Sequence, residues 1–141
     1  MALKWTPATV ETRFHIDTEW FQEEQRDMRV LLRDMLCEGC TESYADYRHA
    51  EAVDWVDEET GEVSRVDALW HSLRECCSTR PDFVTPATPI VDAVFRTLLA
   101  NGNKPMSVLE LHQRIDRRPP EVLLRLLTAG ETHMGIRPVY D

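Results

Sequence analysis

Apolar residues at positions 20, 21, 28, 31, 32 and 35 recur through IDTEWFQEEQRDMRVLLRDML (16–36) with the period of a helix face. Asp17 or Thr18 is the capping candidate, and the polar stretch Gln25–Asp27 leaves open one helix or two short ones. CEGC (37–40) then reads as a glycine-permitted tight turn before a short polar-aromatic stretch. The period shortens to two at 53–66, VDWVDEETGEVSRV, where alternation on both sides of a turn-rich centre predicts a β-hairpin. Asp67 caps a following helix, ALWHSLRECC, with Val66, Leu69, Trp70, Leu73 and Cys77 along one face.

The segment STRPDFVTPATP (78–89) interrupts these patterns with three prolines and four Ser/Thr. Because each proline biases its predecessor toward an extended backbone, the segment reads as an extended connector, with Phe83 and Val84 pinning it to a core. Beyond it, PIVDAVFRTLLANGN is an amphipathic helix with Pro89 at its start and Asn101-Gly102-Asn103 as its stop. SVLELHQRI carries a capping box in Ser107 and Glu110. RPPEVLLRLLTAG predicts a third helix ending at Gly130, and ETHMGIRPVYD an extended tail with a glycine turn.

Three helices, the first two joined through LLANGNKPMSVLELHQRI, followed by a hairpin-like extended tail, resemble a winged-helix domain over residues 86–141. The resemblance rests on pattern and spacing. Together with the patterns before it, this makes the expected chain α+β and mainly helical, in two parts. An acidic domain with a β-hairpin covers about 1–85, with CEGC as its zinc-knuckle candidate, and a winged-helix-like domain about 86–141.

Charge divides the chain at the same place. Net charge is −9 over 141 residues, about −10 in residues 1–85 and +1 in 86–141. An acidic first part repels phosphate backbones and suits a basic protein partner or simple solubility. No apolar run reaches the length of a membrane span, and MALKWTPATVETRF lacks the apolar core of a secretory signal. A cytoplasmic location is therefore expected, where thiols stay reduced and structural disulfides are rare.

That expectation gives weight to the four cysteines, which fall in two close pairs, Cys37/Cys40 and Cys76/Cys77. Zinc in structural sites takes four N or S ligands in a tetrahedron. Two cysteines two residues apart reach one ion from a single turn. The 35 residues between Cys40 and Cys76 exceed the about 15–20 of common zinc ribbons, but the hairpin and helix fill them and can return the chain. Neighbouring helical side chains diverge by about 100°, so Cys76 and Cys77 both bind only if the helix ends there. Otherwise His15, His49 or His71 replaces one of them. Zinc is the expected metal, with an iron–sulfur cluster the alternative; four protein ligands would make the site structural. A redox dithiol of Cys37 and Cys40 fits less well, since a reactive pair sits at a helix N-terminus and CEGC follows a helix.

Other chemistry is sparse. DEETGE (57–62) lacks the ligand spacing of a calcium loop and reads as a solvated turn. No hydrolase, zinc-protease or nucleotide-binding motif occurs, and His112 and His133 have no partner at a persuasive spacing. Trp5 is a candidate docking residue, the other tryptophans candidate core. The third C-terminal helix is apolar at 122, 123, 124, 126 and 127, unlike a base-reading helix, although Arg117, Arg118, Arg125 and Arg137 are candidate phosphate contacts. The sequence points to a non-enzymatic zinc-binding interaction or regulatory protein with a protein partner or self-association. A DNA-binding transcriptional regulator is the alternative and a thiol redox protein the third.

Overall fold

The computed structural model describes residues 7–43, 53–57 and 59–140. The fold is α+β. Strand β1 (Arg13–Ile16) comes first, then three short helices, α1 (Glu19–Glu23), α2 (Met28–Asp34) and α3 (Glu38–Ser43). The segment 16–36 is thus two helices. Gln25 breaks it with φ +55, and Asp27 caps α2 by accepting from the Arg29 N–H at 2.9 Å. Thr18 is the N-cap of α1 without a capping side-chain bond, and Asp17 before it accepts from the Glu19 N–H at 3.1 Å.

The hairpin forms as expected, β2 (Val53–Val56) against β3 (Val63–Val66). Helix α4 (Ala68–Glu75) follows, with Asp67 accepting from the Leu69 N–H at 2.8 Å. Arg29 on α2 pairs with the same carboxylate at 3.0 Å, so one side chain caps α4 and fastens it to α2. Leu69, Leu73 and Cys77, spaced four apart, are all buried.

Residues 78–89 differ from the extended connector expected. They form a 3-10 turn, Cys77–Thr79, and a succession of tight turns closed at Arg80–Phe83 and Thr85–Thr88. The Ser/Thr side chains explain this. The Thr88 hydroxyl accepts from the Thr85 N–H and the Thr85 hydroxyl from the Ala87 N–H, so local bonds satisfy a backbone that proline keeps out of regular structure. Phe83 is buried as expected, and Arg96 holds it by donating to its carbonyl at 2.9 Å while lying over its ring.

Helix α5 (Ile90–Ala100) is the central element, with Val94, Phe95, Leu98 and Leu99 fully buried. It stops at Asn101–Asn103, where Gly102 and Asn103 take φ +71 and +59. Strand β4 (Met106–Ser107) leads into α6 (Val108–Ile115), whose capping box is complete: Ser107 accepts from the Glu110 N–H and Glu110 from the Ser107 N–H, both at 3.1 Å. Helix α7 (Pro120–Thr128) and strand β5 (Ile136–Val139) complete the order.

The tail does not fold back as a hairpin. Strand β5 pairs instead with β1, in an antiparallel sheet of order β4-β1-β5, with Phe14 opposite Met106 and Ile16 opposite Ile136. The alternation Phe14-in, His15-part-out, Ile16-in explains why RFHI serves as a middle strand. Gly135 is needed beside it: its φ is +75, and a Cβ there would stand 2.8 Å from the Asp17 carbonyl oxygen. The division expected near residues 85 and 86 is crossed by this sheet and by one continuous apolar cluster, which runs from Phe14 through Leu69 and Phe95 to Ile136. No helix among the described residues is long and apolar enough to cross a membrane.

Asn103 locks the end of β1 by accepting from the Ile16 N–H at 2.7 Å and donating to the Ile16 carbonyl at 2.8 Å. Asn103→Ala should therefore lose about 2 kcal/mol in urea unfolding, from two lost bonds and a residue poorly suited to positive φ. Asn103→Gly, which accepts that φ but makes neither bond, should recover only part of the loss.

Candidate metal centre

The first cysteine pair lies where α2 gives way to α3. Met35 ends α2, Cys37 stands immediately before α3, and Cys40 falls in its first turn. CEGC is therefore the start of a helix, not a free turn trailing one, and Gly39 is not among the positive-φ glycines. The position has an electrostatic signature: the Cys37 thiol is lowered to about 6, chiefly by a hydrogen bond from the Cys40 backbone N–H to its sulfur. Cys37 therefore carries the lowered thiol of a helix start rather than the raised thiol of a helix end. What counts against an isolated dithiol is the second pair.

That pair comes from the end of α4. The helix stops at Glu75, and Cys76 leaves regular geometry with φ −117 and ψ −63, after which Cys77 opens the 3-10 turn. Ser78 and Thr79 stabilise the break by donating their hydroxyls to the carbonyls of Arg74 and Cys76, at 2.6 and 2.7 Å. Departure from the 100° helical step at this point lets two adjacent side chains turn the same way.

Both pairs meet. The four Sγ atoms lie within 4.8 Å of one another, and Cys37 and Cys76 are 3.9 Å apart, sulfur to sulfur. The Cys37 backbone N–H donates to the Cys77 sulfur at 3.2 Å, joining the two segments through a bond of the kind that favours thiolate. All four cysteines are free thiols. Four thiolates around an ion at about 2.3 Å stand about 3.8 Å from each other, so the spacing is compatible with a metal site. Cys77 is buried and the other three half-buried. Burial pushes the thiols of Cys40 and Cys77 up while Cys37 is lowered. Four sulfurs this close cannot all ionise unless a cation lies between them.

No histidine belongs to the group among the described residues. His15 lies in β1 opposite Arg137, and His71 lies within α4. His49, like Trp5, falls outside the described residues. Arg80 was not foreseen from the sequence. Its guanidinium is pushed further up, chiefly by negative charge on Cys37. A cation four residues after Cys76 is the signal in the sequence, and the turns at Cys77–Thr79 and Arg80–Phe83, where an extended connector is expected, account for its return.

The four candidate phosphate contacts do not form one surface feature. Arg137 is committed to Asp17 at 2.8 Å and Glu23 at 3.3 Å. Arg117 donates to the Pro86 carbonyl at 2.8 Å, beside Arg118 in an open cavity at the start of α5. Arg118 and Arg125 are exposed. On α7, Leu123 and Leu127 are buried and Leu126 faces outward, so the apolar helix is only partly absorbed by the core. No protein family, curated protein or solved structure matches the chain.

With a metal bound, a guanidinium beside two of the sulfurs would offset the excess negative charge of a four-cysteine centre. Arg80→Ala should weaken metal affinity about 10-fold or more in a chelator competition, with Arg80→Lys intermediate.

Proposed function

We propose that the protein is a non-enzymatic, zinc-binding interaction or regulatory module whose metal is structural. One observation carries this reading: the two cysteine pairs converge on a cluster of metal-site dimensions, built from two segments 35 residues apart. Zinc is favoured because an all-sulfur tetrahedron is a usual structural zinc site. Four protein sulfurs leave no coordination position for a substrate or an activated water, which argues against catalysis at the ion.

The C-terminal part supports a winged-helix-like reading through its order of three helices and a following strand. It departs from the expectation in taking the partner of β5 from residues 13–16. A protein-binding role is favoured over DNA reading. Two of the four candidate arginines already serve protein acceptors, while Leu109 on α6 and Leu126 on α7 stand open to solvent. The strongly acidic first part argues in the same direction.

Protein purified under reducing conditions should contain one zinc per chain and release it on acidification, as protons compete for the thiolates. Cobalt exchanged into the site should show the sulfur-to-metal charge-transfer and visible bands of a tetrahedral thiolate complex. Absence of bound metal in reduced protein would overturn the reading.

The DNA alternative predicts binding to mixed-sequence duplex that weakens steeply with salt. Here binding to duplex at moderate salt is expected to be undetectable by fluorescence anisotropy.

A further inference from the structure

The sulfur cluster has an open side and a closed side. Cys77 is 1% exposed and packs with Leu73 in the core, so reagents in solvent cannot approach its sulfur. Cys37 and Cys76 are half-buried and in contact at 3.9 Å, with the exposed Arg80 beside both. They also belong to different segments, one at the start of α3 and the other at the end of α4. A covalent bond between them would join the same two pieces of chain that the metal joins. Closing the gap to a disulfide of about 2.05 Å requires the sulfurs to approach by about 2 Å. Cys76 can supply the movement, since it already lies outside regular helix geometry.

We infer that the centre is a peroxide-responsive staple, in which a Cys37–Cys76 disulfide replaces zinc and releases it. The inference rests on the zinc reading above. In the first step the Cys37 sulfur attacks one oxygen of hydrogen peroxide. An S–O bond forms, the O–O bond breaks, and the departing hydroxide takes a proton to become water. The Cys76 thiolate then attacks the sulfur of the resulting sulfenic acid. The S–S bond forms, the S–O bond breaks, and a second hydroxide leaves as water. Two thiolates, one peroxide and two protons thus give one disulfide and two waters, the sulfurs supplying the two electrons. Zinc retains only Cys40 and Cys77, and two thiolates hold it too weakly to keep it. The two segments stay tied throughout, so the released metal is a signal that does not cost the fold.

The experiment uses the zinc-loaded full chain, titrated with hydrogen peroxide in the presence of a chromogenic zinc chelator. Expected is one zinc released per disulfide formed, reversed by dithiothreitol and added zinc. Far-ultraviolet circular dichroism should be kept in the oxidised, zinc-free protein and reduced in protein stripped by chelator without oxidation. Tryptic digestion separates Cys37 and Cys40 from Cys76 and Cys77 by cutting after Arg48 and Arg74, and glutamyl cleavage after Glu38 separates Cys37 from Cys40. A mass-spectrometric cross-link between Cys37 and Cys76 supports the inference. A bridge confined to Cys37–Cys40, zinc retained after oxidation, or loss of structure equal to that of the chelated protein overturns it. Reduced protein that never held zinc fails the earlier reading instead, and is identified by metal analysis before peroxide is added. Because every arm uses the native sequence, no outcome depends on a cysteine variant that fails to fold.

Discussion

A four-residue strand near the start of the chain, Arg13–Ile16, supplies the middle of a sheet whose other strands lie far along the sequence. The side chains of Phe14 and Ile16 fill the core beneath it, and its backbone is saturated on both edges, with Asn103 bonding both polar groups of Ile16. Helix α1 is positioned by the same strand, since the Asp17 N–H donates to the Gly135 carbonyl at 2.7 Å and Arg137 reaches back to Asp17 and Glu23. The acidic first part and the near-neutral second part are therefore built around one shared element. A difference in charge along a chain reports on its surface and leaves the continuity of its interior unaddressed.

The cysteine cluster depends on that interior. Cys77 continues the buried face of α4 below Leu69 and Leu73, so the core sets the position of one sulfur and the hydroxyl-stabilised break after Glu75 sets its neighbour. The Cys37 N–H then reaches the Cys77 sulfur and registers the second segment against the first. Packing and local hydrogen bonds thus bring the four sulfurs together from two segments of chain.

Elements governed by local rules were legible in the sequence. The Ser107–Glu110 capping box, the Asp67 cap, the hairpin at 53–66 and the Asn101–Asn103 stop all follow from residue chemistry within a turn or two. Two misreadings also have local causes. Residues 78–89 fold into turns because Thr85 and Thr88 bond neighbouring backbone, a competition that a count of prolines overlooks. The glycine of CEGC suggests a free turn, whereas Gly39 lies in helix α3 without positive φ and Cys37 stands just before that helix. What the sequence could not disclose was pairing at a distance. RFHI alternates over only four residues, too few to mark a strand, and its partners are chosen by the burial of Phe14 and Ile16. At the cysteines the spacing carried most of the information, and the helix end after Glu75 explains how adjacent residues serve together.

The position of β1 also sets an order of events during synthesis. It emerges early yet has no neighbour until Met106–Ser107 is made, and only Ile136–Val139 covers its other edge. Until those partners are made the strand has unpaired backbone and two large apolar side chains without their final cover. The two cysteine segments, by contrast, are both complete once residue 77 is out. A nascent chain can thus organise its helical part around the thiol cluster while the sheet waits for a late strand to capture an early one.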